Sequence, residues 1–217
     1  MKAPHSQFGF TLVEMIVSLA VFSIVLTVSV GALLVLVATN QQLQAEQSVM
    51  TNLSFALDSM TREIRTGSGY YCESHPNTNG PGAIFSSGSD LDDLLGDSVN
   101  DCPNGYQGNK RYHGISIIEG GDSISDTADR ILYFYDTEEK KIFRKIGNGN
   151  VESIVSSGIV IEECEFVVTG TKPLSDTGGN RTDQPVVTVF IKATEKGAAT
   201  NKPYYLQTTI TQRTLDV

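Results

Sequence analysis

Histidine is scarce in this 217-residue chain, with only His5, His75 and His113. There is no His-Glu-x-x-His, no Gly-x-Ser-x-Gly and no phosphate loop, so zinc-peptidase, serine-hydrolase and P-loop chemistry have no motif to rest on. Basic residues are also few: 16 against 25 acidic, a net charge of −9. That balance argues against electrostatic nucleic-acid binding, which needs a basic patch. The most telling absence is local. Met15 to Ala38 holds no Asp, Glu, Lys, Arg or His, and no Lys or Arg falls between Lys2 and Arg62.

As a helix, the uncharged run is about 36 Å long, more than the roughly 30 Å hydrocarbon core of a bilayer. Its polar members Ser18, Ser23, Thr27 and Ser29 can bond back to their own helix carbonyls, so they do not oppose insertion. A secretory signal fits less well. Its apolar region is about 7–15 residues and ends in a small-x-small site, whereas this run is longer and Ala38-Thr39-Asn40 is a poor site. The run reads as one membrane span. Lys2 before it and the lack of basic residues after it put the N-terminus in the cytoplasm and the bulk of the chain outside.

Glu14 sits at the start of this apolar stretch, five residues after Gly9. A charge at mid-bilayer costs at least about 2.5 kcal/mol on insertion scales and commonly marks function. Gly9-Phe10 stands at the junction of a short polar leader with the apolar run. Cutting there makes Phe10 the new N-terminus and Glu14 its fifth residue. Amine and carboxylate from neighbouring subunits would then offset each other's desolvation in a packed bundle.

The stretch Gly9-Phe10-Thr11-Leu12-Val13-Glu14, followed by the apolar run, resembles the N-terminal signature of type IV pilin-like proteins, including minor pilins and type II secretion pseudopilins. The leader MKAPHSQFG is short, polar and free of acids, as that resemblance requires. It implies cleavage after Gly9 by a prepilin peptidase, N-methylation of Phe10 and a docking role for Glu14. It also implies a pilin fold, α+β, with a long helix packed on a small antiparallel sheet. The implied partners are other pilin or pseudopilin subunits, the peptidase, inner-membrane assembly machinery and the lipid bilayer, with no cofactor.

Helical periodicity continues past the span. Leu43, Met50, Leu57 and Ile64 recur every seven residues, with Leu53 and Met60 between them. This apolar stripe needs a partner surface. Gly67 and Gly69 mark its end. Five regions follow: a leader at 1–9, a membrane or filament-core helix at 10–38, an amphipathic helix at 39–67, an acidic loop insertion at 68–114, and a β-sheet head at 115–217. In the head, Arg130–Asp136 and Lys140–Ile146 form a hairpin signal around Thr-Glu-Glu. Gly147 to Asn150 turns the chain into 151–155, and Ile159–Thr169 is β-rich. Val187, Val189 and Ile191, then Leu206, Thr208, Ile210 and Gln212, alternate as strand faces. Together these make one small antiparallel sheet, one face on the helix. The Tyr-rich strand, charged turn and Ile-x-Arg also resemble the larger minor pseudopilins.

An extracytoplasmic head meets oxidising conditions. Cys72 and Cys102 bracket the acidic loop and are expected to pair, which the loop-entropy model values at roughly 3–4 kcal/mol. Cys164, in an apparent strand, is expected to be a buried free thiol. Asp90, Asp92, Asp93 and Asp97 offer oxygen ligands suited to calcium but lack EF-hand spacing, and read as a solvated loop without metal. Gly121-Asp122-Ser123 faintly resembles a lipase motif, but no Asp-x-x-His follows and it reads as a turn. The whole describes a non-enzymatic, single-pass subunit that joins, primes or caps a filament. The rival is an anchored ectodomain that binds ligand or does chemistry and never assembles.

Overall fold

The computed structural model describes residues 9–75, 85, 99–105, 110–120, 130–171, 184–197 and 202–213. Two compact units are present, Met1–Gln47 and Ser48–Val217. One helix, α1 (Leu12–Thr66), contributes to both.

In the first unit, the large apolar side chains of α1 are exposed all round, from Leu12 to Leu43. Such a helix requires an apolar medium or other helices around it. Its hydroxyls turn inward to its own backbone. Ser23 donates to Leu19 C=O at 2.9 Å, Thr27 to Ser23 C=O at 2.8 Å and Ser29 to Val25 C=O at 2.8 Å. No polar group among these three needs water.

In the second unit, α1 buries Val49, Leu53, Ala56, Leu57, Met60 and Ile64. Leu43 and Met50, placed on the stripe by the heptad reading, are instead half exposed. The contact line follows the 3.6-residue period of a straight helix, so Val49 takes the place expected for Met50. The last carbonyls of α1 find partners. Gly67 N–H donates to Glu63 C=O at 2.9 Å and Arg213 N–H to Arg65 C=O at 2.8 Å. Tyr70 Oη donates to Ile64 C=O at 2.6 Å. Helix ends left without such partners are costly.

Antiparallel strands follow in two sheets rather than the single one expected. The first is five-stranded in chain order: β1 (Ser68–His75), β2 (Tyr112–Ile118), β3 (Arg130–Asp136), β4 (Lys141–Ile146) and β5 (Glu152–Ser153). The second holds β6 (Ile159–Thr169), β7 (Val186–Glu195) and β8 (Tyr204–Thr211). The region 68–114, read as loop, therefore opens with β1 and closes inside β2. The strand signal in β1 is interrupted at Gly69, whose φ is +57° and where the register with β2 shifts. A left-handed residue at a bulge favours glycine. A Cβ there would also lie 2.7 Å from Ile118 Cδ1.

The hairpin of β3 and β4 pairs Asp136 with Lys141. Asp136 Oδ1 accepts Glu138 N–H at 2.8 Å, and Lys140 turns at φ +53°. That left-handed residue delays the strand by one position. Residues of α1 and the inner faces of both sheets form one core, including Met60, Ile64, Ile115, Ile131, Tyr133, Phe166, Val189 and Ile191. A second cluster lies across the first sheet: Phe85, Tyr112, Leu132 and Phe134. Full burial of such side chains contributes about 1.5–3 kcal/mol each.

Candidate functional site

The N-terminal site is built from residues 9–11 and the first turn of α1. Gly9 and Phe10 precede the helix and are exposed. No described atom lies within 4 Å of where a Cβ on Gly9 would sit. Among the described residues, nothing in the folded subunit demands glycine there. Phe10 is 79% exposed.

Thr11 is the N-cap. Its carbonyl accepts Met15 N–H at 3.3 Å, the first intrahelical bond. Its Oγ1 accepts the N–H of Glu14 at 3.3 Å. Thr11-x-x-Glu14 thus has capping-box spacing, which sequence reasoning about the leader junction passed over although the signal was present. Glu14 lies in the first turn, where helix N–H dipoles favour a carboxylate. The structure brings Gly9, Phe10 and Glu14 to one exposed end.

Cys72 and Cys102 are joined as a disulfide, with Cα atoms 5.8 Å apart. The bond lies where the sheets meet. Cys72 belongs to β1 and is paired with Ile115, whereas Cys102 bridges to Val168 of β6. Between them, Asn100 C=O accepts Cys72 N–H at 3.0 Å and Asn100 Nδ2 donates to Cys72 C=O at 2.6 Å. The segment around Asn100 and Cys102 therefore covers the outer edges of β1 and β6. Cys164 is a buried free thiol whose pKa burial pushes up. It is disfavoured as a nucleophile, which must ionise.

Two further polar ties were not foreseen. His113 on β2 accepts the N–H of Phe166 on β6 at Nε2, 2.9 Å away. Burial lowers its pKa to about 4, so the ring is neutral and suited to accept. Arg144 on β4 donates to Glu63 on α1 at 2.8 and 3.1 Å, and Tyr133 Oη donates to the same carboxylate at 2.5 Å. Each pairs residues far apart in the chain, a relation that periodicity does not reveal.

Asp90, Asp92, Asp93 and Asp97 lie outside the described residues, as does Gly121-Asp122-Ser123. Among the described residues, no group of three or more His, Cys, Asp or Glu is placed to hold a metal ion.

No curated protein and no solved structure matches the chain. The long apolar N-terminal helix, with its C-terminal part packed on small antiparallel sheets, has the architecture of the pilin fold. Residues 4–30 match the family model described as the prokaryotic N-terminal methylation motif, so the N-terminal region carries the signal typical of type IV pilin and pseudopilin precursors.

Proposed function

We propose that this chain is a minor pilin or pseudopilin. A prepilin peptidase removes residues 1–9, Phe10 is N-methylated, and the subunit joins, primes or caps a type IV pilus or type II secretion pseudopilus. It waits in the inner membrane with its N-terminus in the cytoplasm and its head outside. Other pilin-like subunits and the membrane assembly machinery are its partners. Its work is mechanical and not catalytic.

One observation carries this reading: an exposed Gly9-Phe10 stands immediately before a capped helix whose apolar side chains are exposed on every side. A plain anchor has no use for a readable glycine at that junction. In a bundle of such helices the Glu14 carboxylate is drawn from water, and a new Phe10 amine on a neighbour is a suitable counter-ion. Each charge then offsets part of the other's desolvation.

The test is intact-mass measurement of the chain expressed in cells that possess the peptidase. Loss of residues 1–9 with one added methyl group supports the proposal. An unprocessed wild-type chain favours the anchored ectodomain that never assembles.

A further inference from the structure

The apolar part of α1 sorts its side chains by shape. Leucine recurs at every seventh position as Leu12, Leu19, Leu26 and Leu33. A second line starts three residues on, with Met15, Phe22, Ser29, Leu36 and Leu43. These are the a and d positions of a heptad. Off the two lines, residues 12–38 hold Val, Ile, Ala, Ser, Thr, Gly, Glu14 and a single leucine, Leu34. Lipid accepts any apolar side chain at any position, so the bilayer alone does not require this order. The apolar members of both lines are exposed, Leu33 at 58% and Leu43 at 50% included. Ser29 turns its hydroxyl to its own helix, at 2.8 Å from Val25 C=O.

Past the span, the a line continues as Asn40 and Gln47, both exposed. An amide at an a position costs stability in a helix seam and sets its register and partner number. Asn40 Nδ2 donates to Leu36 C=O at 3.0 Å, and its Oδ1 is suited to accept across a seam. We propose that two copies of this chain pair through these lines as a parallel, in-register helix dimer in the membrane. Such a dimer requires residues 15–38 to span the bilayer, but does not require the chain to enter a filament.

A second copy fits where another helix does not. The membrane makes the pair parallel, since both N-termini start on one side. In register, Asn40 meets Asn40 and Gln47 meets Gln47, so each amide faces an amide. A shift of one heptad sets Asn40 against Leu33 and leaves the amide unmatched in an apolar layer. Charge permits the pairing as well. Glu46 is the one charged residue between Met15 and Leu57. It flanks the seam, and across a parallel pair its neighbour is the uncharged Thr51 of the copy, five residues on. Glu14 lies on neither line, which leaves its carboxylate for the contact with a Phe10 amine. Strict seven-residue spacing drifts by about 20° per heptad on a straight helix, so the pair winds left-handed. In lipid the seam gains by close packing and by bonds between amides. Beyond the span, Leu43 also leaves water.

The test is cysteine crosslinking of the full chain in native membranes under a mild oxidant. Leu43→Cys lies on the seam, whereas Gln41→Cys lies on the far side of the helix. Leu43→Cys is expected to give a product of twice the chain mass about tenfold faster than Gln41→Cys. In the Leu43→Cys background, Asn40→Asp sets like charges face to face and is expected to slow that product about tenfold. Gln41→Asp, with the same charge off the seam, should leave it unchanged. Sedimentation of the wild-type chain in detergent micelles gives a readout free of any variant and should show a dimer. Equal crosslinking at the two positions, a wild-type monomer, or a product containing a different chain overturns the proposal. Intact mass of the same samples separates this outcome from the proposed function. A processed chain that fails to crosslink through Leu43→Cys sinks the dimer alone, and an unprocessed chain that does crosslink sinks only the pilin role.

Discussion

Arg144 holds Glu63 with two hydrogen bonds, at 2.8 and 3.1 Å, and so fixes the last turns of α1 against β4. The pair is partly exposed, with about a quarter of each side chain open to solvent. An isolated pair of this kind contributes little. Tyr133 Oη changes that balance, because it shares the same carboxylate from inside the core. Glu63→Gln is expected to destabilise the head by about 1–3 kcal/mol, the cost of leaving a buried donor poorly matched. A double-mutant cycle with Tyr133→Phe in urea unfolding checks this. Additive losses would mean that the tyrosine and the glutamate act separately.

The acid response of the head has two opposing sources. His113 has its folded pKa lowered from 6.5 to about 4 by burial. The unfolded chain therefore binds more protons between those values, and stability falls as pH drops through that window. Glu73 has its folded pKa raised from 4.5 to about 7, chiefly by burial, with the Tyr71 hydrogen bond acting against it. The folded chain then binds more protons, so this group adds stability as pH falls from about 7 toward 4.5. The expected outcome is a muted pH dependence between about pH 4.5 and 6.5 in the wild type. Glu73→Gln should make the melting temperature fall with acid there, and His113→Gln should make it rise. Parallel melting curves for the three proteins would refute the opposition.

Removing the disulfide should unfasten the seam between sheets. The loop-entropy model assigns a closure of this length about 3–4 kcal/mol. Cys72→Ala with Cys102→Ala is expected to lower stability by that order, measured by denaturant unfolding. A non-reducing peptide map of wild-type protein from the cell envelope should show the two cysteines linked. Cys164, buried and with its thiol pKa raised, should react with iodoacetamide only after unfolding. Rapid native alkylation would contradict its placement.

Glu14→Ala should separate docking from processing. Expression, insertion and cleavage after Gly9 are expected to stay near wild type, while incorporation into filaments is lost. Removing one partner from a buried charge pair costs about 3–5 kcal/mol. Thr11→Val is the matched control, since loss of an N-cap costs about 1 kcal/mol and spares the carboxylate. If Glu14→Ala protein enters filaments at the wild-type level, the pairing account is wrong and Glu14 is only an interfacial anchor.

The elements legible in the sequence were those set by local pattern. The uncharged run 15–38 and the helix stop at Gly67 read directly, as did the strands whose alternation is clean, such as Val187-x-Val189-x-Ile191. β1 escaped because Gly69 breaks its alternation and polar residues surround it. The division into two sheets escaped because it depends on which edges are covered, and Asn100 and Cys102 cover them with two isolated bridges and not a strand. At the N-terminus, the methylation motif over residues 4–30 was legible because its signal is consecutive in the chain. His113 with Phe166, and Glu63 with Tyr133 and Arg144, were not, since each joins distant segments and leaves no spacing to read.

The bond from Arg213 N–H to Arg65 C=O bears on the order in which the head is made. Gln212 Nε2 adds a second tie, to the Gly67 carbonyl at 2.9 Å. The end of α1 thus waits for a partner nearly the whole head away in sequence. The Gly67 carbonyl also accepts the Tyr70 hydroxyl at 3.0 Å, but until Arg213 has been synthesised the Arg65 carbonyl lacks its N–H partner, and β7 lacks its β8 neighbour. Closing so long a loop is entropically costly and slows folding. The head therefore completes itself late, well after the apolar part of α1 has left the ribosome.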